Sequence, residues 1–532
     1  MKAYLNRVCL AVLLLVYLAP FAQAGSSQPS ERPNIIFFLV DDYDKPETSV
    51  YGGRALTPNL DRLAREGMTF HRAHMTSTVC TPSRYTCLTG RYEGSSYSSV
   101  YLEECPLGKQ GLPAFNVALE DDNMNVGQVL SDNGYVTGFV GKYHVGLEES
   151  HLKHFTPIAK NAEYSDEINR QQYANEKHYR QLVLDRGFDF AKNIYWGNMK
   201  SVFRGHNPQW TIDAAVEFIE QNRDRPFYLH YCTTLLHGPN GEWYKSLTEK
   251  DRVTGEGIID KPLTSMPPRK TVMQRVREAG LTENEAGFTW MDDSIGTLLD
   301  KLDELGIAEN TIFVFLADHG SLRKGSLYSK DGTEVPCIIR WPKGIAKGTE
   351  CDELIQNTDF VPTWFDLAGV KLPKQYRIDG ISLAPLFRNP DQPIRNYVYN
   401  EMGPGRSIKT KEWTYIALRY TSDQVEMVQS RPRATKQMLG LSGGVSRGYT
   451  NPHAFCCDQL YDIQADPEET RNLAGRPKCR STLAEMKQLL TQELKRFPNR
   501  PFGELIPGGN ALPAGSFDHT LQTVSDAAKE KK

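Results

Sequence analysis

No asparagine in the 532-residue chain stands in an Asn-x-Ser/Thr sequon, so the chain carries no N-glycan acceptor and points to a bacterial exported protein over a lysosomal one. Basic excess is missing too: 62 Lys and Arg stand against 65 Asp and Glu, a net charge of −3. That balance excludes the electrostatic footprint of a nucleic-acid binder, and an anionic substrate would have to be met by local basic patches. No internal repeat is visible. Beyond the first two dozen residues no apolar run approaches the ~20 residues a membrane-spanning helix needs. The one such run, LAVLLLVYLAPF, follows Lys2 and Arg7 and precedes Ala22-Gln23-Ala24. It reads as a cleavable signal peptide, residues 1–24, with the mature chain beginning near Gly25. The run is too short for an anchor, and Cys9 precedes most of it, which argues against lipidation. The expectation is an exported protein, periplasmic or secreted, with no membrane anchor.

Cysteine is scarce, at ten residues. Export permits disulfides, and pairing of Cys456 or Cys457 with Cys479 would suit a small C-terminal domain. A zinc site using His453 lacks ligand spacing.

What is present is an alternation of strand-like apolar runs and amphipathic stretches, the pattern of an α/β fold with a mostly parallel sheet. The clearest strands are NIIFFLV (34–40), YVTGFV (135–140), PFYLHYCT (226–233) and TIFVFLA (311–317). Helical periodicity marks 59–66, 211–221 and 288–305. Ligands of open α/β sheets sit beyond the carboxyl ends of the strands. The first run ends in Asp41-Asp42, the second leads to Lys142 and His144, the third is followed by His237, and the fourth ends in Asp318-His319. Four strand ends thus bring carboxylates, imidazoles and an ammonium to one rim. Asp41, Asp42 and Asp318 are hard oxygen donors that repel one another unless a cation intervenes, and oxygen-rich sites favour Ca²⁺ or Mg²⁺. Lys142 and His144, two apart on an extended segment, would project to the same side.

Residues 80–91 read CTPSRYTCLTGR. This resembles the signature of the formylglycine-dependent type I sulfatases, Cys-x-Pro-Ser-Arg-x-x-x-Leu-Thr-Gly-Arg, and the likeness extends through PNIIFFLVDD, TPNLDRLAREG, GKYHVG, FLADHG and KGSLY to DPEE. The resemblance implies the alkaline-phosphatase-like fold: a large, mostly parallel mixed sheet sandwiched by helices, with a smaller C-terminal antiparallel sheet and one helix. It implies that Cys80 is oxidised by a formylglycine-generating maturation enzyme to an aldehyde, whose hydrate supplies the nucleophile. A thiolate attacking a sulfate ester would be left with an adduct it could not expel, whereas a geminal diol splits the displacement into two easier steps.

The family likeness also implies roles. One calcium ion would be held by Asp41, Asp42, Asp318, His319 and the oxygen at position 80. Arg84, four residues on and so on the same helix face, would hold the nucleophile, with Arg91 buttressing. Lys142 would bind sulfate oxygens and His144 would be the base that releases sulfate. His237 would be the acid for the departing alcohol, and Lys324 would stabilise charge on sulfate and leaving oxygen. After KGSLY the family commonly has Glu-Gly-Gly, but here Ser329, Lys330, Asp331 and Gly332 follow, and Lys330 could be an extra substrate contact.

The expected organisation is a signal peptide (1–24), a catalytic domain (25–390), a smaller subdomain (391–505) and a tail (506–532). A helix is expected over 482–497, with Thr482 and Glu485 as a capping box and Leu483, Met486, Leu489, Leu490 and Leu494 as its buried stripe. The segment 147–186 carries Tyr, Asn, Gln, His and Lys suited to sugar hydroxyls. Basic clusters at Arg269, Lys270, Arg275 and Arg277, and at Arg431, Arg433 and Lys436, read as solvated faces or as grips for an anionic group. Together these favour a sulfated carbohydrate as substrate. A phosphate or phosphonate monoester hydrolase, or a silent glycan-binding protein, remains open on the same residues.

Overall fold

The computed structural model describes residues 32–146, 155–238, 240–248, 252–430 and 451–516. The expected signal peptide, the cluster of Arg431, Arg433 and Lys436, and most of the expected tail lie outside these residues. Among the described residues no helix is long and apolar enough to cross a membrane.

The strands are β1 (Asn34–Val40), β2 (Met68–His74), β3 (Val136–Lys142), β4 (Phe190–Tyr195), β5 (Phe227–Cys232), β6 (Val253–Thr254), β7 (Gly257–Ile258), β8 (Thr311–Ala317), β9 (Cys337–Arg340), β10 (Thr349–Gln356), β11 (Val398–Met402), β12 (Gly405–Lys409), β13 (Trp413–Leu418) and β14 (Asp458–Asp462). Eight form one sheet in the order β10-β2-β9-β8-β1-β5-β3-β4. All its pairings are parallel except those of β9, which runs antiparallel to β2 and β8. Continuous apolar runs are what a sheet covered on both faces requires, and every residue of β1, β5 and β8 is buried. Helices Pro58–Glu66, Pro208–Asn222 and Ala286–Glu304 carry apolar stripes that join this core. The four expected strands and three expected helices all appear, within a few residues of their expected ends.

A second, antiparallel sheet, β11-β12-β13-β14, packs against helix Arg480–Leu494. Met486, Leu490 and Leu494 are its buried contacts, with Leu483 and Leu489 partly buried. The expected capping box is not made. The helix begins two residues earlier, directly after the turn Pro477–Cys479, so Thr482 and Glu485 lie inside it and no side chain caps its N-terminus. Nor is Cys456 or Cys457 bridged to Cys479. Cys457 packs with Tyr420 and Tyr461, whereas Cys479 packs with Met486 and Leu490 in a separate cluster.

Sheet register builds the rim. Val40 pairs with Ala317, so Asp41 and Asp318 leave adjacent strands side by side, and the Asp318 N–H donates to Val40 O at 2.8 Å. Leu39 and Gly141 both pair with Cys232, which draws the end of β3 to the same place. Gly141 has φ +94°, and a Cβ there would meet Cys232 O at 1.9 Å. Only glycine lets β3 pass β5 so closely with Lys142 next in line.

Candidate active site

Cys80 opens the helix Cys80–Thr89, all of whose residues are buried, after an extended Val79. Position 80 therefore lies at the positive end of a helix. Around its Sγ stand His319 Nε2 at 3.4 Å and Lys324 Nζ at 3.7 Å. Burial would push the Cys80 thiol up, but Lys142 and Lys324 outweigh it and bring it down to about 6. The site is tuned to hold an anionic atom at position 80.

Ligand atoms of Asp41, Asp42, Cys80 and His319 all lie within 4.8 Å of one another. Asp42 takes a left-handed backbone, φ +54°, as the chain leaves β1, a strained conformation of the kind that clusters at functional sites. His319 Nδ1 lies 3.0 Å from Gly320 O. That contact orients Nε2 towards the centre, 3.2 Å from Asp42 Oδ1, the side from which an imidazole ligates. Burial lowers its pKa, but Asp318 and Asp42 outweigh burial and raise it to about 9. Asp41 Oδ1 is buried without a hydrogen bond, with Arg84 Nη2 3.5 Å away. Two carboxylates, one of them with an unsatisfied buried oxygen, an imidazole nitrogen and the atom at position 80 form a donor set that fits a divalent cation. Asp318 is not in that mutually close group. Its Oδ1 accepts the Asp42 N–H at 3.1 Å, and its Oδ2 accepts from Arg84 Nε at 3.0 Å and forms an ion pair with Nη2 at 2.8 Å.

Electrostatics explain how three carboxylates tolerate burial. Burial raises Asp41, but Lys142 and Arg84 hold it well below the usual carboxylate range. Asp42 is held at about 2, with Lys324 and His319 overcoming burial. Asp318, where burial prevails, rises to about 7. Arg84, Lys142, Lys324 and His319 supply the compensating positive charge.

The expected site residues come together, with partners the motif does not reveal. Lys142 Nζ is wholly buried on Asp41 Oδ2. Arg84 is spent on Asp318 and on Lys142 O, 3.0 Å from its Nη1, so its guanidinium organises carboxylates around position 80. Lys324 Nζ straddles Asp42, at 2.8 and 3.1 Å. His237 is 27% exposed, with Nε2 3.8 Å from Asp42 Oδ2. Burial lowers its pKa, while Asp41 and Asp42 pull it back up.

His144 and Lys142 do not share a strand face. β3 ends at Lys142, and His144 has φ +46°, which breaks the alternation. Its ring packs over Gly197, where a Cβ would meet Cδ2 at 3.0 Å, and its Nδ1 is buried without a hydrogen bond. Burial, reinforced by Lys142 and Arg84, holds this imidazole well below its ordinary pKa. Arg91 is buried between the rings of Tyr97 and Tyr376 and pairs with Glu120 at 3.2 Å, which is buttressing.

Lys330 pairs with Glu468. Three of the four residues in the basic cluster near 270 are likewise engaged: Arg269 binds Ser246 O and Asn207 Oδ1, Arg275 pairs with Asp293 and Arg277 with Glu283. Sequence reasoning missed Asp44, whose carboxylate receives the N–H groups of Ser321 (2.8 Å) and Leu322 (3.3 Å) on the Lys324 loop. The run VDDYD contained that signal. It also missed His206, a buried imidazole whose Nδ1 lies 2.9 Å from Thr234 Oγ1, three residues before His237.

Comparison with known proteins gives the family. The sulfatase family model matches residues 33–370, and a model of the N-sulphoglucosamine sulphohydrolase C-terminal region matches 317–439. An ulvan-active sulfatase of Formosa agariphila is 26% identical over 470 residues, covering 86% of this chain and 78% of the relative. An N-acetylglucosamine-6-O-sulfatase of Bacteroides thetaiotaomicron is 25% identical over 556 residues, covering 91% of each. Among solved structures, a protein bound to its substrate D-glucosamine-2-N,6-O-disulfate superposes with a TM-score of 0.56 at 21% identity, over 88% of this chain and 99% of that one. With a family model spanning more than half its length and a rim built around the Cys80 helix, the chain belongs to the type I sulfatases, sulfuric ester hydrolases of the alkaline-phosphatase superfamily.

Proposed function

We propose that the protein is an exported sulfatase acting on a sulfated carbohydrate, with residues 25–390 as its catalytic domain and 391–505 as a smaller subdomain. In this reading Cys80 is converted to formylglycine by a maturation enzyme, and one Ca²⁺ sits among Asp41, Asp42, Asp318, His319 and residue 80. The observation that carries it is the placement of Cys80 at a helix N-terminus, 3.4 Å from His319 and 3.7 Å from Lys324, inside a donor set no wider than 4.8 Å. Hydrated formylglycine would supply the attacking oxygen, and the cation would draw charge from the sulfate oxygens.

The chain's own groups do the rest. Lys142 and Lys324 hold negative charge at the sulfate and the leaving oxygen, where a desolvated ammonium acts more strongly than in water. Asp41 and Asp42, their present partners, fix both ammonium groups in place. Arg84 keeps Asp318 and Asp41 oriented towards the centre. His237, part-exposed at the rim, gives its proton to the alcohol oxygen as the bond from that oxygen to sulfur breaks. His144, neutral in its buried setting, accepts the proton whose loss lets sulfate depart. The balance is one sulfate ester and one water in, one alcohol and one sulfate out.

A carbohydrate substrate is favoured by the activities named for the relatives, ulvan and N-acetylglucosamine 6-sulfate. The test is anion chromatography of what the protein releases, after co-production with a formylglycine-generating enzyme. The panel contains sulfated polysaccharides, their oligosaccharides and phosphate monoesters, with Cys80→Ala as control. Sulfate from a glycan, absent in the control, is expected. Phosphate alone would reassign the protein to phosphomonoester hydrolysis, and no release from fully converted protein would favour a binding role.

A further inference from the structure

Lys324 stands on the connection from β8 to β9, and that connection is gripped from two sides. On the side of the large sheet, Asp44 takes the N–H groups of Ser321 and Leu322. Gly325 N–H donates to Thr78 O at 3.1 Å, and Thr78 Oγ1 donates to Ser326 O at 2.7 Å. The other grip comes from beyond β14, in the DPEE segment. Glu469 is fully buried. One of its oxygens accepts the Ser329 N–H at 2.6 Å and the other accepts the Ser329 hydroxyl at 3.0 Å. Arg323, the residue before Lys324, lies 3.7 Å from the same carboxylate through Nη1 and reaches Glu468 O with Nη2 at 3.1 Å. Lys409 Nζ, 4.0 Å from Glu469, donates to Leu327 O at 2.6 Å.

The backbone adds an independent sign. Glu469 has φ +52°, a region that a residue with a Cβ enters only at a cost. Asp466 preforms the turn by accepting the N–H groups of Thr470 and Arg471 at 2.9 and 2.8 Å, and Asn451 Nδ2 donates to Glu469 O at 2.7 Å. Glycine would relieve the strain, so the feature this position retains is the carboxylate, aimed at the Lys324 loop.

We infer that Glu469 is a positioning residue for Lys324, so that a segment outside the large sheet completes the active site by fixing the loop on which that ammonium is carried. The inference rests on the role proposed above for Lys324, and its test has an arm independent of that role. In the converted, full-length protein, Glu469→Ala is expected to lower kcat for sulfate release by about ten- to hundredfold with KM little changed, as small misplacements of a catalytic group do. Glu469→Gln, which keeps an acceptor oxygen, is expected to lose less and to stay folded if the alanine variant does not. In a Lys324→Ala background, Glu469→Gln should cause no further loss, because its effect passes through the missing ammonium. Hydrogen exchange read by mass spectrometry should quicken in residues 320–334 and stay unchanged in 34–40, whether or not sulfate is the group released. Losses that multiply in the Lys324→Ala background, or unchanged exchange in 320–334, would overturn the inference. A wild-type protein that releases no sulfate yet shows the exchange change would place the fault in the proposed reaction and not in the grip of Glu469.

Discussion

Arg419, in the strand region of the small sheet, and Asp41, at the rim of the large one, are both buried charges, and the two are finished differently. Arg419 uses all five donors of its guanidinium. Nη1 reaches Leu418 O and Cys457 O at 2.9 and 2.7 Å, Nη2 reaches Asp458 and Glu504 at 2.9 and 2.5 Å, and Nε reaches Glu504 at 2.9 Å. Around Asp41 the valences are not used up. Asp41 Oδ1, His144 Nδ1 and His206 Nε2 are all buried with no hydrogen-bond partner. Buried polar atoms are normally satisfied, so saturation marks a charge kept for the fold. Buried atoms without a hydrogen bond occur elsewhere among the described residues, Glu93 Oε2 and Glu353 Oε2 among them, but the one on Asp41 belongs to the close donor set of Asp42, Cys80 and His319, and that combination marks a place that receives something.

The largest expected effect lies at the open centre. Cys80→Ala should reduce sulfate release at least about 10³-fold, as loss of a covalent nucleophile does, while leaving the melting temperature within a few degrees of wild type. Arg419→Met should do the reverse. Breaking a saturated buried pair costs about 3 kcal/mol, read as a lower urea midpoint, and kcat should be unchanged in the folded protein. A loss of kcat there would erase the distinction between the two regions.

Cation binding sharpens the comparison further. After dialysis against a chelator, sulfate release should vanish and return with calcium. Calcium at a hundred times its dissociation constant should stabilise the folded protein by about 2.7 kcal/mol, and Asp41→Asn should abolish that response. A smaller effect concerns pH. His144 must be neutral to accept a proton, and burial with Lys142 and Arg84 holds its pKa well below 6.5. The acid limb that His144 imposes on kcat should therefore lie below pH 6.5; a tenfold fall per unit beginning at pH 7, removed by His144→Gln, would contradict this. The smallest effect is expected for Lys330→Ala. Its ion pair with Glu468 is 40% and 49% exposed, so a change of at most about 0.5 kcal/mol and less than twofold in kcat should follow.

Local signals were legible in the sequence wherever chemistry is local. Continuous apolar runs gave β1 and β8 residue for residue, and the Cys80 segment with its strand-end carboxylates located the centre. What the sequence withheld is set by long-range packing. Lys142 on Asp41 and Arg84 on Asp318 join residues more than fifty positions apart, and no spacing rule encodes them. The alternation applied to Lys142 and His144 failed because Gly141 and the left-handed His144 turn the chain at the sheet edge. Thr482 and Glu485 had the spacing of a capping box, but the preceding turn at Pro477 started the helix earlier. Glu469 was visible only as part of DPEE, and its reach to Ser329 needed the fold.

The most direct test of the whole account measures two quantities on one preparation: the fraction of residue 80 converted to formylglycine, read by peptide mass spectrometry, and the rate of sulfate release from a sulfated oligosaccharide. Preparations with graded conversion should give rates proportional to that fraction, passing through zero for the unconverted cysteine. A rate independent of conversion, or one retained by Cys80→Ala, would contradict the claim that the rim acts through residue 80.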